Sequence, residues 1–268
     1  MTSESTAADL RTEAAYDLLI RAQDAPQELA VLSGLELCVL GAPKHVLCEK
    51  ELAAAWLGYS DRRRRKAMQL ATESLVKRSM LLERSGTPRT GPEGISPVDS
   101  YAMNPALGLV LAGRTRPGFV VVTSLGPAEA RTPRMYSIGD EEQPVRGVLF
   151  ESPESLPPGD FPHVVRMGPL GWMYRYLLTS QDFVADWLAA WVDKPAPEAL
   201  RAKDGRLPPR MVSVYRHDEG RDFLGVTIAF RHDGERAQLL AEDGEVAGEY
   251  DREGLRGVMG DLLVAGTR

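Results

Sequence analysis

Five consecutive cations, Arg62, Arg63, Arg64, Arg65 and Lys66, are the residues of this 268-residue chain whose type and spacing most plainly ask for a partner. They follow Ser60 and Asp61, whose side-chain oxygens can accept the orphan N–H groups at a helix start. The run therefore occupies the first turn and a little more. Cations there oppose the positive end of the helix dipole, at about 0.3–1 kcal/mol each, and repel one another. A stability argument does not account for them, whereas an anionic partner does, either phosphate or an acidic protein surface. The plainer alternative is a solvated, charged helix start.

Other groups with possible chemistry are weaker. Arg-His-Asp occurs at 216–218 and again at 231–233, which raises a metal site. If 212–217 and 222–231 form a hairpin, His217 lies beside its turn and His232 at its far end. About ten residues at ~3.3 Å each then separate them. Turn-flanking polar residues is the reading the spacing favours. Cys48 and His45 would make a nucleophile pair only with a third partner and an oxyanion motif, and neither is visible. His163 stands alone beside a proline. No phosphate loop, dinucleotide fingerprint, zinc-protease helix or nucleophile elbow occurs. The chain is expected to be non-enzymatic, with no cofactor and no metal. Cys38 and Cys48 are too few for a disulfide framework and read as reduced thiols.

The elements that position the cations are two helices. Residues 49–57 are rich in Ala, Leu and Glu, with Leu52, Ala55 and Trp56 on one face. Gly58 stops this helix. The next one carries Met68, Leu75 and Leu82 seven apart, with Ala71 and Leu81 beside them. A helix, a turn, a second helix entered through cations, then the Gly/Pro loop 85–99 is the order of a winged helix-turn-helix. In that reading the second helix enters the major groove and 85–99 is the wing. The second helix is long for this role, and 85–99 lacks alternating apolar residues.

The remaining chain reads as α+β. Residues 1–12 are expected to be a disordered tail, 13–21 a short helix and 27–40 a helix. Residues 13–116 form a mainly helical part containing the winged-helix-like segment 49–99. Asn104 and Pro105 start a helix that Arg116-Pro117-Gly118 ends. Residues 117–192 read as strands at 119–123, 134–138, 146–150 and 164–167, then a helix at 181–192. Phe183, Trp187 and Trp191 line that helix four apart, as core or as an apolar partner face. Residues 193–210 hold four prolines and read as a linker. Residues 211–268 read as an antiparallel meander with Asp-Gly turns, closed by a helix. Strands followed by a helix thus occur twice, giving antiparallel sheet flanked by helices in two quasi-equivalent halves.

Composition is that of a globular protein, 43% hydrophobic and 26% charged, with net charge −6. Residues 44–90 hold eleven Lys/Arg against five acids, +6, which leaves −12 on the rest. One basic patch on an acidic body is expected. No apolar run reaches the ~18 residues of a membrane span. The start MTSESTAADL has no basic or apolar leader, so a cytoplasmic location is expected.

The segments LATESLVKRSMLLE and YAMNPALGLVLAGRTRPGFVVV carry a resemblance. Their order, together with the C-terminal strand–DG–strand and final helix, resembles the EspG-type chaperones of type VII (ESX) secretion over most of 50–264. The resemblance implies a central antiparallel sheet flanked by helical bundles, built from two quasi-equivalent halves. It also implies a cytosolic chaperone without enzymatic activity that binds the apolar helical tip of a secretion substrate, typically a PE/PPE pair. Two functional readings result. One is an adaptor or chaperone that masks an apolar helical surface of a client protein. The other is a winged-helix transcriptional regulator that binds DNA through Arg62 to Lys66.

Overall fold

The structure is a computed structural model that describes residues 2–45, 48–83, 101–125, 132–139, 145–154, 165–200, 207–218 and 221–267. The loop 85–99, His163 and the turn residues 219–220 lie outside the described residues. The fold is α+β, with a nine-stranded sheet and a separate two-stranded one.

The chain divides into two compact units. The first takes residues 1–20, 28–116 and 153–177, and the second takes 21–27, 117–152 and 178–268. The first opens on α1 (Thr2–Asp24). Residues 2–12, expected as a disordered tail, are instead its N-terminal half, where Ala, Glu, Leu and Arg favour helix. Residues 27–40, expected as one helix, split into β1 (Gln27–Ser33) and α2 (Gly34–Val39). The reason is a capping box. Ser33 accepts the N–H of Glu36, and the Glu36 carboxylate accepts the N–H of Ser33. That reciprocal pair starts a helix at Gly34 and leaves the preceding apolar run extended. Gly34 also has no room for a side chain, since a Cβ there would lie 2.6 Å from the Pro169 carbonyl oxygen.

Next come α3 (Lys50–Leu57), α4 (Asp61–Lys77), β2 (Leu81–Glu83), β3 (Tyr101–Met103) and α5 (Pro105–Thr115). α4 ends at Lys77, so Leu82 belongs to β2 and is exposed rather than part of the helical stripe. Asn104 caps α5 by accepting the N–H of Leu107 at 2.8 Å. Where a strand was expected at 164–167, the chain forms 3-10 turns over Val165–Gly171 with Gly168 at φ 58°.

Four strands then a helix occur twice. β4 (Phe119–Leu125), β5 (Arg134–Ile138), β6 (Gly147–Glu154) and β7 (Met173–Thr179) precede α6 (Gln181–Val192). β8 (Arg210–Asp218), β9 (Arg221–His232), β10 (Ala237–Leu240) and β11 (Val246–Tyr250) precede α7 (Arg252–Thr267). β7 was not foreseen, and it makes the two runs equal in number. The sheet order is β1-β7-β6-β5-β4-β8-β9-β10-β11. Both four-strand runs therefore read outward from the antiparallel β4·β8 pair, in which Phe119 faces Arg216 and Leu125 faces Arg210. This is the strand order of two quasi-equivalent halves. The Asp-Gly turns fall as the hairpin signal requires, with Gly234 and Gly244 at φ 113° and 83°. Asp233 accepts the backbone N–H groups of Arg236 and Glu235, which hold its carboxyl below its ordinary range.

Candidate functional site

The cationic segment is organised by an apolar cluster beneath it. Leu52 and Trp56 of α3, Ala67 and Ala71 of α4, Leu35 and Cys38 of α2, and Leu170 pack together, with Met68 and Tyr59 against them. The small alanines of α4 let it approach α2 closely, and α3 joins the same cluster through Leu52 and Trp56. Ser60 caps α4 by accepting the N–H of Arg63 at 3.5 Å. The helix-turn-helix is thus a packed unit whose turn runs over Gly58, Tyr59 and Ser60.

The five cations are not equivalent. Arg64 is half-buried, and its Nη2 donates to the Leu57 carbonyl at 3.4 Å and the Tyr59 carbonyl at 3.3 Å. Its guanidinium also stands 5.7 Å from the Trp56 ring centroid. Arg64 therefore satisfies the carbonyl end of α3 and fastens the turn. Arg62, Arg63, Arg65 and Lys66 are exposed. Among the described residues no ion pair reaches any of the four.

β2 and β3 pair antiparallel directly after α4, with Leu81 opposite Met103 and Glu83 opposite Tyr101. Leu81–Glu83 and Tyr101–Met103 are thus brought side by side. The loop 85–99 itself showed no alternation, but its flanks do pair. Ser79, at φ 56°, turns the chain from α4 into β2. The Met80 N–H donates to the Leu75 carbonyl, and the Asn104 side chain donates to the Ser79 carbonyl. Arg78 pairs with Glu36 and donates to the Val31 carbonyl at 2.7 Å, which ties the end of α4 to β1 and α2.

The aromatic row on α6 is half-buried at all three positions, Phe183, Trp187 and Trp191. Trp187 meets Phe150 of β6 edge to face, with centroids 4.9 Å apart. Trp191 stacks on Trp187 at 6.3 Å and 11°. The Arg210 guanidinium lies 4.7 Å from the Trp191 centroid and donates to the Lys194 and Pro195 carbonyls. Arg210 thereby fixes the first residues of the segment expected as a linker. The row borders the fully packed stripe of Val184, Leu188 and Val192.

Sequence reasoning missed a buried polar group. Arg114 of α5 is 0% exposed. Its Nη1 donates to the Tyr176 hydroxyl at 2.9 Å and its Nε to His45 Nδ1 at 3.4 Å. The Arg114 bond thus occupies the His45 Nδ1 lone pair. Cys48 Sγ donates to the Glu49 carbonyl at 3.6 Å, and both cysteines are free. Burial, reinforced by the neighbouring Cys48, pushes the Cys38 thiol up to about 12, so it stays protonated at neutral pH. His217 and His232 lie on β8 and β9, near the turn and at the far end respectively. His232 instead sits 3.9 Å from Asp193 and accepts the Gly234 N–H. Among the described residues no three His, Cys, Asp or Glu side chains converge as metal ligands, and no helix is long and apolar enough to cross a membrane.

No protein-family model matches this chain, and no curated protein matches it.

Proposed function

We propose that the protein is a binding protein without enzymatic activity, an adaptor or chaperone that masks an apolar helical surface of a client protein, as the EspG-type chaperones of type VII secretion do. The observation that carries this reading is the sheet. Two runs of four strands and a helix extend from the β4·β8 pair, and a two-half antiparallel sheet with helices is the architecture that the resemblance implies.

The surface this reading assigns to the client is the row of Phe183, Trp187 and Trp191. Aromatic side chains that remain half-exposed beside a packed stripe supply large contact area at low conformational cost. An apolar helix laid along a row of residues four apart would cover their outer edges. Asp186, exposed and paired with Arg256, supplies a polar group at the rim.

The test is co-expression with helical-hairpin secretion substrates of the PE/PPE kind, followed by size-exclusion chromatography and light scattering. The expected result is a soluble complex of defined stoichiometry that Phe183→Ala weakens at least tenfold. Clients that remain insoluble beside a folded, native protein would overturn the reading.

A further inference from the structure

We propose that the α3–α4 module is a DNA-binding surface in which Arg62, Arg63, Arg65 and Lys66 contact the phosphates of a duplex, while Arg64 belongs to the fold. This function is separate from client binding by α6. Three observations carry it. The first is that the five cations divide. Arg64 is consumed by two carbonyls and the Trp56 ring, whereas the other four are exposed and no described acid pairs with them.

The second is placement. The buried face of α4 is Ala67, Ala71, Thr72 and Leu75, and the residues facing outward include Arg62, Arg63, Arg65, Lys66 and Gln69. In a helix-turn-helix it is the start of the second helix, on its outward face, that enters the major groove. The third is the antiparallel pairing of β2 with β3 immediately after α4, the position that paired strands take after the second helix of a winged module. A cluster of four cations at the positive end of a helix destabilises that helix, so the fold offers no reason for it. A polyanion removes both the mutual repulsion and the opposition to the dipole.

DNA is favoured over an acidic protein surface by this order of elements, because the cations lie at the helix start that the groove admits. Each cation that neutralises a phosphate adds about −0.9 to the slope of log K against log salt. Four contacts give a slope of about −3.6, or roughly 150-fold weaker binding between 50 and 200 mM salt.

The experiment is fluorescence anisotropy of a labelled mixed-sequence duplex with the full chain at those two salt concentrations. The variants are the quadruple Arg62→Ala, Arg63→Ala, Arg65→Ala, Lys66→Ala, and Lys77→Ala, which removes one exposed cation from the other end of α4. The native protein and Lys77→Ala are expected to bind with the steep slope. The quadruple variant should lose most of it while keeping the native circular dichroism spectrum. No binding at 50 mM salt, or an unchanged slope in the quadruple variant, overturns the proposal. Binding of labelled poly-glutamate that the quadruple variant loses, without duplex binding, overturns it too and reassigns the patch to an acidic protein.

Discussion

Replacing the cations of α4 one at a time should change stability in opposite directions. Arg64→Ala removes two hydrogen bonds to carbonyls at 3.3 and 3.4 Å and a contact 5.7 Å from the Trp56 centroid. At those long distances each bond contributes about 0.5–1 kcal/mol, and the ring contact about 0.5 kcal/mol. Relief of one charge against the helix dipole returns about 0.3–1 kcal/mol. The net expectation is a loss of about 1 kcal/mol. Arg62→Ala and Arg63→Ala remove only the unfavourable dipole and repulsion energies, because their side chains are exposed. Each should gain about 0.3–0.5 kcal/mol. Urea unfolding followed by circular dichroism, at low salt and in 1 M NaCl, separates the two cases. High salt shortens the screening length to about 3 Å and should erase the Arg62 and Arg63 gains. The Arg64 loss, made of short-range contacts, should persist. A loss on Arg62→Ala equal to that of Arg64→Ala would refute the division of the run into one fold-bearing and four outward cations.

Gly34→Ala should destabilise by about 1–3 kcal/mol in urea unfolding, because its Cβ would meet the Pro169 carbonyl oxygen at 2.6 Å and Leu52 Cδ1 at 2.8 Å. The Cys38 thiol is held up to about 12 from an ordinary 9.0, so the unfolded chain ionises first as pH rises. Its contribution is complete below about pH 9 and falls above it with a slope approaching about 1.4 kcal/mol per pH unit, a slope that Cys38→Ala should remove from urea midpoints measured at pH 8, 9 and 10. Trp187→Ala, which loses both Phe150 and Trp191, should cost about 3–5 kcal/mol in the same assay. Phe183→Ala should cost less, and an equal cost would place Phe183 in the core and remove it from the client face.

Several elements were legible because one local signal sufficed. α6 follows from Ser180 and a wide apolar face, and the Asp-Gly turns from the positive φ that glycine permits. Residues 27–40 read as helix by propensity, since Leu, Ala and Glu favour it, but tertiary pairing makes Gln27–Ser33 a strand. The boundary was present in the sequence, because Ser33-Gly34-Leu35-Glu36 spells a capping box. β7 was hidden for a different reason. Met173–Thr179 buries Tyr174, Tyr176 and Leu178 on one face, but its other face carries Met173 and Leu177 beside Arg175, so before Thr179 the polar positions that would mark an alternation in the sequence are reduced to one. The pairing of β2 with β3 spans residues that share no local pattern, and only the fold reveals it.

The division among the arginines was legible too, through helical periodicity rather than charge. The buried stripe of α4 contains Ala67, Ala71 and Leu75. Arg64 lies three residues before Ala67 and seven before Ala71, and so on that same stripe, whereas Arg62, Arg63, Arg65 and Lys66 fall off it. Arg114 obeys the same rule, four residues after Val110 and seven after Leu107 on the buried face of α5. An arginine on a buried stripe must find acceptors inside the protein, and both do. Arg64 finds two carbonyls, and Arg114 finds a tyrosine hydroxyl and an imidazole nitrogen. An arginine off the stripe has no such requirement, and its charge stays available to another molecule. Counting cations in the run yields five potential contacts, and placing them on the helix yields four. A salt slope nearer −4.5 than −3.6 would therefore require Arg64 to leave Trp56 and the Leu57 and Tyr59 carbonyls on binding. That rearrangement would unfasten the turn between α3 and α4, and Trp56 fluorescence would register it during titration with DNA.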